Sequence, residues 1–210
     1  MTKKIPKILL SSVVRGGHRV DSQGGIFMVD FEAQEIKQHF DINDTEIDFD
    51  ESAGDKGFRG IGFNEEDVII ASSDVLFRFD RSFKVKTFSK NYYLDDCHEL
   101  CIYENTVFLT SPGFDSLIAF DLNIKEFIWG FHLTKQYDEW SGHTFDPRTD
   151  QGPLPVNHYS INTVYVDNKG IYFSGLHTNA LLHLDNNMKV SKICSLPAGT
   201  HDARPYRNGI

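Results

Sequence analysis

The chain has 210 residues, 40% of them hydrophobic and 13% aromatic, which is enough apolar material for one compact core and unlike a disordered segment. Its 21 basic and 30 acidic residues leave a net charge of −9, which repels phosphate backbones and anionic membranes, so neither nucleic acid nor membrane is expected as a partner. Three cysteines, Cys97, Cys101 and Cys194, are an odd number suited to a reducing compartment. The apolar run before Arg15 is only about seven residues, too short for a secretory core or a membrane span, so the expected location is cytoplasmic.

In chain order, KILLSSVV from Lys7 reads as a strand, followed by GGIFMVD ending at Asp30 and by EIKQHF. Three longer units follow, each with four strand-like runs. The first runs are GIGFNEED, ELCIYENT and NTVYVDNKG, and the second are VIIASS from Val68, VFLTSP from Val107 and IYFSGL from Ile171. The third runs end in aspartate, at Asp80, Asp121 and Asp185, and the fourth are FKVKTFS, KEFIWGFHL and KVSKICSL. Alternation and β-branched or aromatic content support strands throughout, about 15 short ones in all. Behind the last three aspartates come Arg-Ser-Phe-Lys, Leu-Asn-Ile-Lys and Asn-Asn-Met-Lys, so each Asp is expected to cap a turn by bonding its own backbone. A repeat of about 40 residues built from several short strands is the signature of a propeller blade, and the expected fold is an all-β propeller of four-stranded blades, about four of them visible in one domain.

Counting back nine residues from Val68, Val107 and Ile171 lands on Arg59, His98 and Asn162, and the same count ends at Ile210 when it starts from His201. THDARPYRNGI is therefore another first strand, while the N-terminus begins at a second strand. Two readings stay open. Either His201–Ile210 pairs with Lys7–Val14 and closes a four-blade ring, or the chain is the N-terminal part of a larger propeller.

Blade topology sends first-strand starts and second-to-third loops to the same end. That end collects Arg59, His98, Asn162 and His201, together with Arg15, His18, Asp74, Asp115 and His177. Two long segments are expected there as loops, the acidic run Asp41–Asp55 and the stretch Leu133–Asn157, the latter covering the site. The acidic run lacks the glycine and the twelfth-place glutamate of a calcium loop, so it reads as solvated. Cys97 and Cys101 lie roughly 13 Å apart along a strand, too far to share a metal or a disulfide, and are expected to be inert. His39, His132 and His183 fall on outer or third strands and read as structural.

The segments GFRGIGF, DDCHEL, GFDSLIAFDL, SINTVYVD, GLHTNALLHLD and AGTHDARPYRNG resemble those of a conserved-hypothetical β-propeller family, a domain of unknown function, over nearly the whole chain. Members of that family run on beyond the equivalent of ARPYRNG, which favours the larger-propeller reading. The chain is more remotely similar to gluconolactonase-like and lyase-type propellers, which implies a site at the axis and often a divalent metal.

Two classes of function follow. In the first, the axial end binds a small polar or anionic ligand, or a protein partner, through Arg59, His98, Asn162, His177, His201 and Arg204; a guanidinium there can clamp a carboxylate or phosphate in bidentate fashion. In the second, His98, His158, His177 and His201 hold a divalent transition metal and a carboxylate such as Glu99 or Asp202 serves as base for lactonase or lyase chemistry. No phosphate loop, nucleophile elbow or metalloprotease helix is present in the sequence.

Overall fold

A computed structural model describes residues 5–15, 24–42, 55–207 and 209, and the chain is all-β over them. Eighteen strands run through the described residues, three more than the repeat predicts. They form a four-blade β-propeller whose sheets are antiparallel throughout. Blade 1 holds β1 (Ile8–Ser11), β3 (Gly25–Asp30) and β4 (Glu35–Asp41). Blade 2 holds β6 (Ile61–Phe63), β7 (Val68–Ala71), β8 (Val75–Phe79) and β9 (Val85–Lys90), in that order. Blade 3 runs from β10 (Leu100–Tyr103) through β11 (Thr106–Ser111), β12 (Ser116–Asp121) and β13 (Glu126–Gln136) to β14 (Glu139–Phe145). Blade 4 holds β15 (Ile161–Asp167), β16 (Gly170–Gly175), β17 (Ala180–Asp185) and β18 (Val190–Ser195). A short ladder of β2 (Val13–Arg15) with β5 (Asp55–Gly57) ties the β1–β3 connection of blade 1 to the entry of blade 2.

Alternation puts each strand's two faces against two different neighbours, so the core is a set of seams. Ile26, Phe40 and Met28 of blade 1 pack on Val68, Ile70, Phe77 and Phe79 of blade 2. Ile69 and Leu76 of blade 2 meet Leu100, Leu109, Ile118 and Phe120 of blade 3, with Tyr93 and Leu94 between. Leu117, Phe131 and Leu133 of blade 3 meet Val164, Phe173 and Leu182 of blade 4.

The four aspartate turns form as expected. Asp30, Asp80, Asp121 and Asp185 close the third strands, and one carboxylate oxygen of each accepts two backbone N–H groups downstream, as from Asn123 and Ile124 onto Asp121 at 2.7 and 3.2 Å. Those bonds and neighbouring cations hold the carboxyls of Asp30, Asp80 and Asp185 below the ordinary range. Every such turn ends on a non-glycine residue with positive φ: Gln34, Phe83, Lys125 and Met188. This left-handed conformation costs about 1 kcal/mol for a residue with a Cβ. Lys125 is exposed and has φ 60°, so Lys125→Gly should raise the melting temperature by about 2 °C. Phe83→Gly should lower it instead, because that ring is buried against His39 at a 4.7 Å centroid distance. Thermal melts of both variants check the pair, and a fall with Lys125→Gly would refute the argument from strain.

One sequence expectation needs correction in part. The first half of the stretch from Leu133 is not a loop: β13 continues to Gln136, turns at Tyr137 and Asp138, and returns as β14, a fifth strand in contact with β18, while residues 146–157 carry no strand. Of the two closure readings, the pairing of His201–Ile210 with Lys7–Val14 forms no ladder among the described residues. Among the described residues β1 has a ladder partner in β3 alone, and Tyr206 bridges to Gly209 within its own turn. Most of the acidic run, residues 43–54, and His18 lie outside the described residues.

Candidate functional site

The inner strands begin at the axial end, and the backbone just before each ladder is fixed by a hydroxyl. Ser11 Oγ donates to the Arg59 carbonyl at 2.6 Å. Thr110 Oγ1 accepts the N–H groups of His98 and Glu99 at 3.0 and 3.1 Å. Thr163 Oγ1 donates to Asn162 Oδ1 at 3.1 Å and accepts the Asp202 N–H at 2.8 Å. These groups sit where the ladder runs out, so backbone polar atoms that would otherwise be orphaned are satisfied and the adjoining side chains are aimed.

Those side chains form one connected cluster. Arg59, with a side chain only 6% exposed, donates through Nη1 to Asp96 Oδ1 at 3.0 Å, and His98 Nε2 lies 3.5 Å from the same oxygen. The His98 and His201 rings face each other at 6.2 Å with 30° between their planes. Asn162 Nδ2 is 3.1 Å from His201 Nδ1, and Arg204 pairs with Asp202. Asp96 and Asp202 both hold positive φ, at 54° and 56°, a strain that tends to accumulate at functional positions. Burial alone would raise the Asp96 carboxyl, but the His98 hydrogen bond and the Arg59 charge outweigh it and keep the group below the ordinary range. Glu99 goes the other way: burial, with the like charge of Asp202 beside it, pushes its carboxyl up. The cluster thus combines two guanidiniums, an Asp96 held below the ordinary carboxylate range and a Glu99 that keeps its proton to higher pH, beside the His98 and His201 rings.

Of the residues named from the sequence, Arg59, His98, Asn162, His201 and Arg204 are brought together here. His177 and His158 are not. Both are exposed and lie over the connection from β14 to β15, where the His177 N–H bonds the Tyr159 carbonyl and the His158 N–H bonds Asp115. The four imidazoles therefore do not assemble as one ligand set, and among the described residues no three His, Cys, Asp or Glu side chains gather around a common metal position. Asp115 is structural: its side chain is fully buried and accepts N–H groups from His158, Tyr159 and Ser160 at 2.7, 2.9 and 3.1 Å. Asp74 pairs with Lys90 at the rim.

His132 and His183 bond backbone carbonyls of Phe114 and Lys169, as their strand positions imply. Burial pushes the Cys97 thiol up to about 12, which removes any thiolate at neutral pH, and Cys101 Sγ accepts the Val166 N–H across a seam at 3.4 Å. The residue that sequence reasoning missed is Asp96, which joins Arg59 to His98. Its signal was the acidic pair directly before Cys97 and His98.

A cleft of about 620 Å³ opens at the other end, between blades 2 and 3, lined by Asn64, Glu65, Asp67, Arg78, Glu104 and Asn105. Its central charges are already committed to each other, since Asp67 holds both Arg78 and Lys86. The axial cluster, where side chains from three blades and the following segment meet, is the better-built site.

The fold is that of a β-propeller, as the family resemblance implies. No family model matches the chain, and no curated protein matches it. Among solved structures it is similar to the Pan2 WD40 domain of Neurospora crassa, at 14% identity and TM-score 0.43 over 90% of this chain and 62% of that one. It is similar also to virginiamycin B lyase from Staphylococcus aureus, at 10% identity and TM-score 0.46 over 82% and 51%, and to BamB from Moraxella catarrhalis, at 9% identity and TM-score 0.48 over 92% and 66%. The chain spans about half to two thirds of the length of these structures. Among the described residues no helix is long and apolar enough to cross a membrane.

Proposed function

We propose that the axial end binds a small polar or anionic ligand, or an anionic side chain of a protein partner. One observation carries this reading: Arg59 with Asp96 and His98, Asn162 with His201, and Arg204 with Asp202 converge from separate blades on one place. Arg204 is the group best suited to meet a ligand, because its side chain is 46% exposed and its partner Asp202 is 58% exposed, so exchanging that partner costs little desolvation. Arg59 is the positioning group, held by Asp96 and set to orient His98.

Melting the protein with inorganic phosphate, succinate and a neutral polyol, each at about 10 mM, tests the reading. Phosphate or succinate should raise the melting temperature by a few degrees and the polyol should not. In His201→Ala and Arg204→Ala the rise should disappear while the unliganded melting temperature moves by less than about 2 °C. Retention of the full rise in both variants would move the ligand away from the axial end.

A further inference from the structure

A two-residue turn at Tyr137 and Asp138 sets Gln136 opposite Glu139, and from there the register of β13 with β14 runs unbroken to His132 opposite His143. Strand alternation gives this hairpin two faces. Phe131, Leu133 and Trp140 lie on one and pack into the seam with blade 4. His132 and His143 share the other, and their rings stand 5.2 Å apart, centre to centre, with 64° between the planes. Toward the turn that face is polar: its next pair is Thr134 with Ser141, whose hydroxyls are 3.0 Å apart.

The His132 ring is fixed in the tautomer that suits a ligand to a metal. Its Nδ1 lies 2.8 Å from the Phe114 carbonyl, which can only accept, so the proton sits on Nδ1 and the Nε2 lone pair is left over. Among the described residues neither that Nε2 nor either ring nitrogen of His143 has a hydrogen-bond partner. Burial pushes the His132 imidazole below its ordinary range, and the neighbouring His143 pushes the same way, so the ring is neutral at pH 7. Donation of the remote ring N–H to a backbone carbonyl is the arrangement that orients metal-bound histidines and raises the basicity of the ligating nitrogen.

The spacing of the rings agrees with this. A metal about 2.0–2.1 Å from an imidazole nitrogen lies about 3.2 Å from the centre of that ring, so two imidazoles on one tetrahedral ion have centres about 5.2 Å apart. We propose that His132 and His143 hold a divalent transition-metal ion across the β13–β14 hairpin, each through one ring nitrogen, His132 through Nε2. Imidazole donors select copper, nickel and zinc over calcium and magnesium, and of these copper(II) binds tightest. Asp115, whose charge reaches His132, has both carboxylate oxygens committed to backbone N–H groups. With no third His, Cys, Asp or Glu donor among the described residues, water completes the coordination and leaves it open to a further ligand.

Metal-free protein titrated with copper(II) chloride near neutral pH should take up one tight equivalent, and the electron paramagnetic resonance spectrum of the complex should show two coordinated nitrogens. His143→Ala changes an exposed position, and His132→Asn keeps a side-chain amide that can still donate to the Phe114 carbonyl. Each should weaken copper binding by about tenfold or more and reduce the nitrogen count to one. His177→Ala, which removes an exposed imidazole between β16 and β17, should leave both readouts unchanged. Amide exchange along β14 should slow on loading, because the ion ties that strand to β13. Copper uptake that neither variant weakens places the ion elsewhere and overturns the proposal, and so does a protein that takes up no copper. Should His132→Asn disturb the fold, His143→Ala decides alone.

Discussion

Replacing Asp67 with alanine should lower stability by about 3–5 kcal/mol and the melting temperature by about 10 °C, a loss as large as truncating a buried core phenylalanine. Asp67 is 1% exposed and binds Arg78 at 2.6 Å and Lys86 at 2.5 Å, while Arg78 itself is only 13% exposed. Removing the carboxylate strands a guanidinium that water barely reaches. Arg78 also donates to the Leu122 carbonyl of blade 3 at 3.4 Å, so the loss is felt across a seam. Asp67→Ala with Arg78→Met should recover much of the loss, since it removes the uncompensated charge. Burial raises the Asp67 carboxyl, but Lys86 and Arg78 outweigh it and hold the group below the ordinary carboxylate range. A depressed folded value means that its contribution is complete above the ordinary range and fades as pH falls through the depressed one. Stability of Asp67→Ala should accordingly fall less steeply with acid than that of the parent. Denaturant titrations at neutral pH and near pH 3 measure both effects, and a loss below about 1 kcal/mol would mean that the triad behaves like an exposed pair.

Asp115→Ala should cost about 3 kcal/mol, with a fall in melting temperature of about 9 °C, for a different reason. No charge is stranded; three backbone donors are. Oδ1 takes the N–H groups of Tyr159 and Ser160 and Oδ2 takes that of His158, which pins the β14–β15 connection to the β11–β12 turn. Asp115→Asn keeps one carbonyl oxygen able to serve Tyr159 and Ser160, and asparagine tolerates the φ of 44° at this position. It should therefore lose less than half as much. Equal losses for Asn and Ala would show that charge, and not the count of satisfied donors, is what the site requires.

The sequence made the blades legible because the aspartate turn is a local device: the side chain bonds backbone two to four residues away, so its signature cannot be scattered by folding. First-strand starts were legible for the same reason, through a fixed count to the second strand. Blade topology assigns a residue to an end of the propeller but not to a radius, so it could not separate His158 and His177, whose backbones bond Asp115 and Tyr159, from the residues of the Arg59 cluster. Asp96 was overlooked since its partner Arg59 is 37 residues away. The β13–β14 hairpin was hidden by Pro, Gly and Asp further along the same stretch, although Trp140, Gly142 and Thr144 alternate as a strand would.

Ser11, Thr110 and Thr163 place the backbones of Arg59, His98 with Glu99, and Asp202 at the points where neighbouring sheets meet. The axial cluster is consequently a gauge of the spacing between sheets. A molecule held there by groups from several of them acts as a non-covalent cross-link, and any motion that splays two sheets must break it. Occupancy at 100 times the dissociation constant would add about 2.7 kcal/mol to the free energy of unfolding. Amide exchange should therefore slow along the inner strands β6, β10 and β15 together, and not only in residues that touch the ligand.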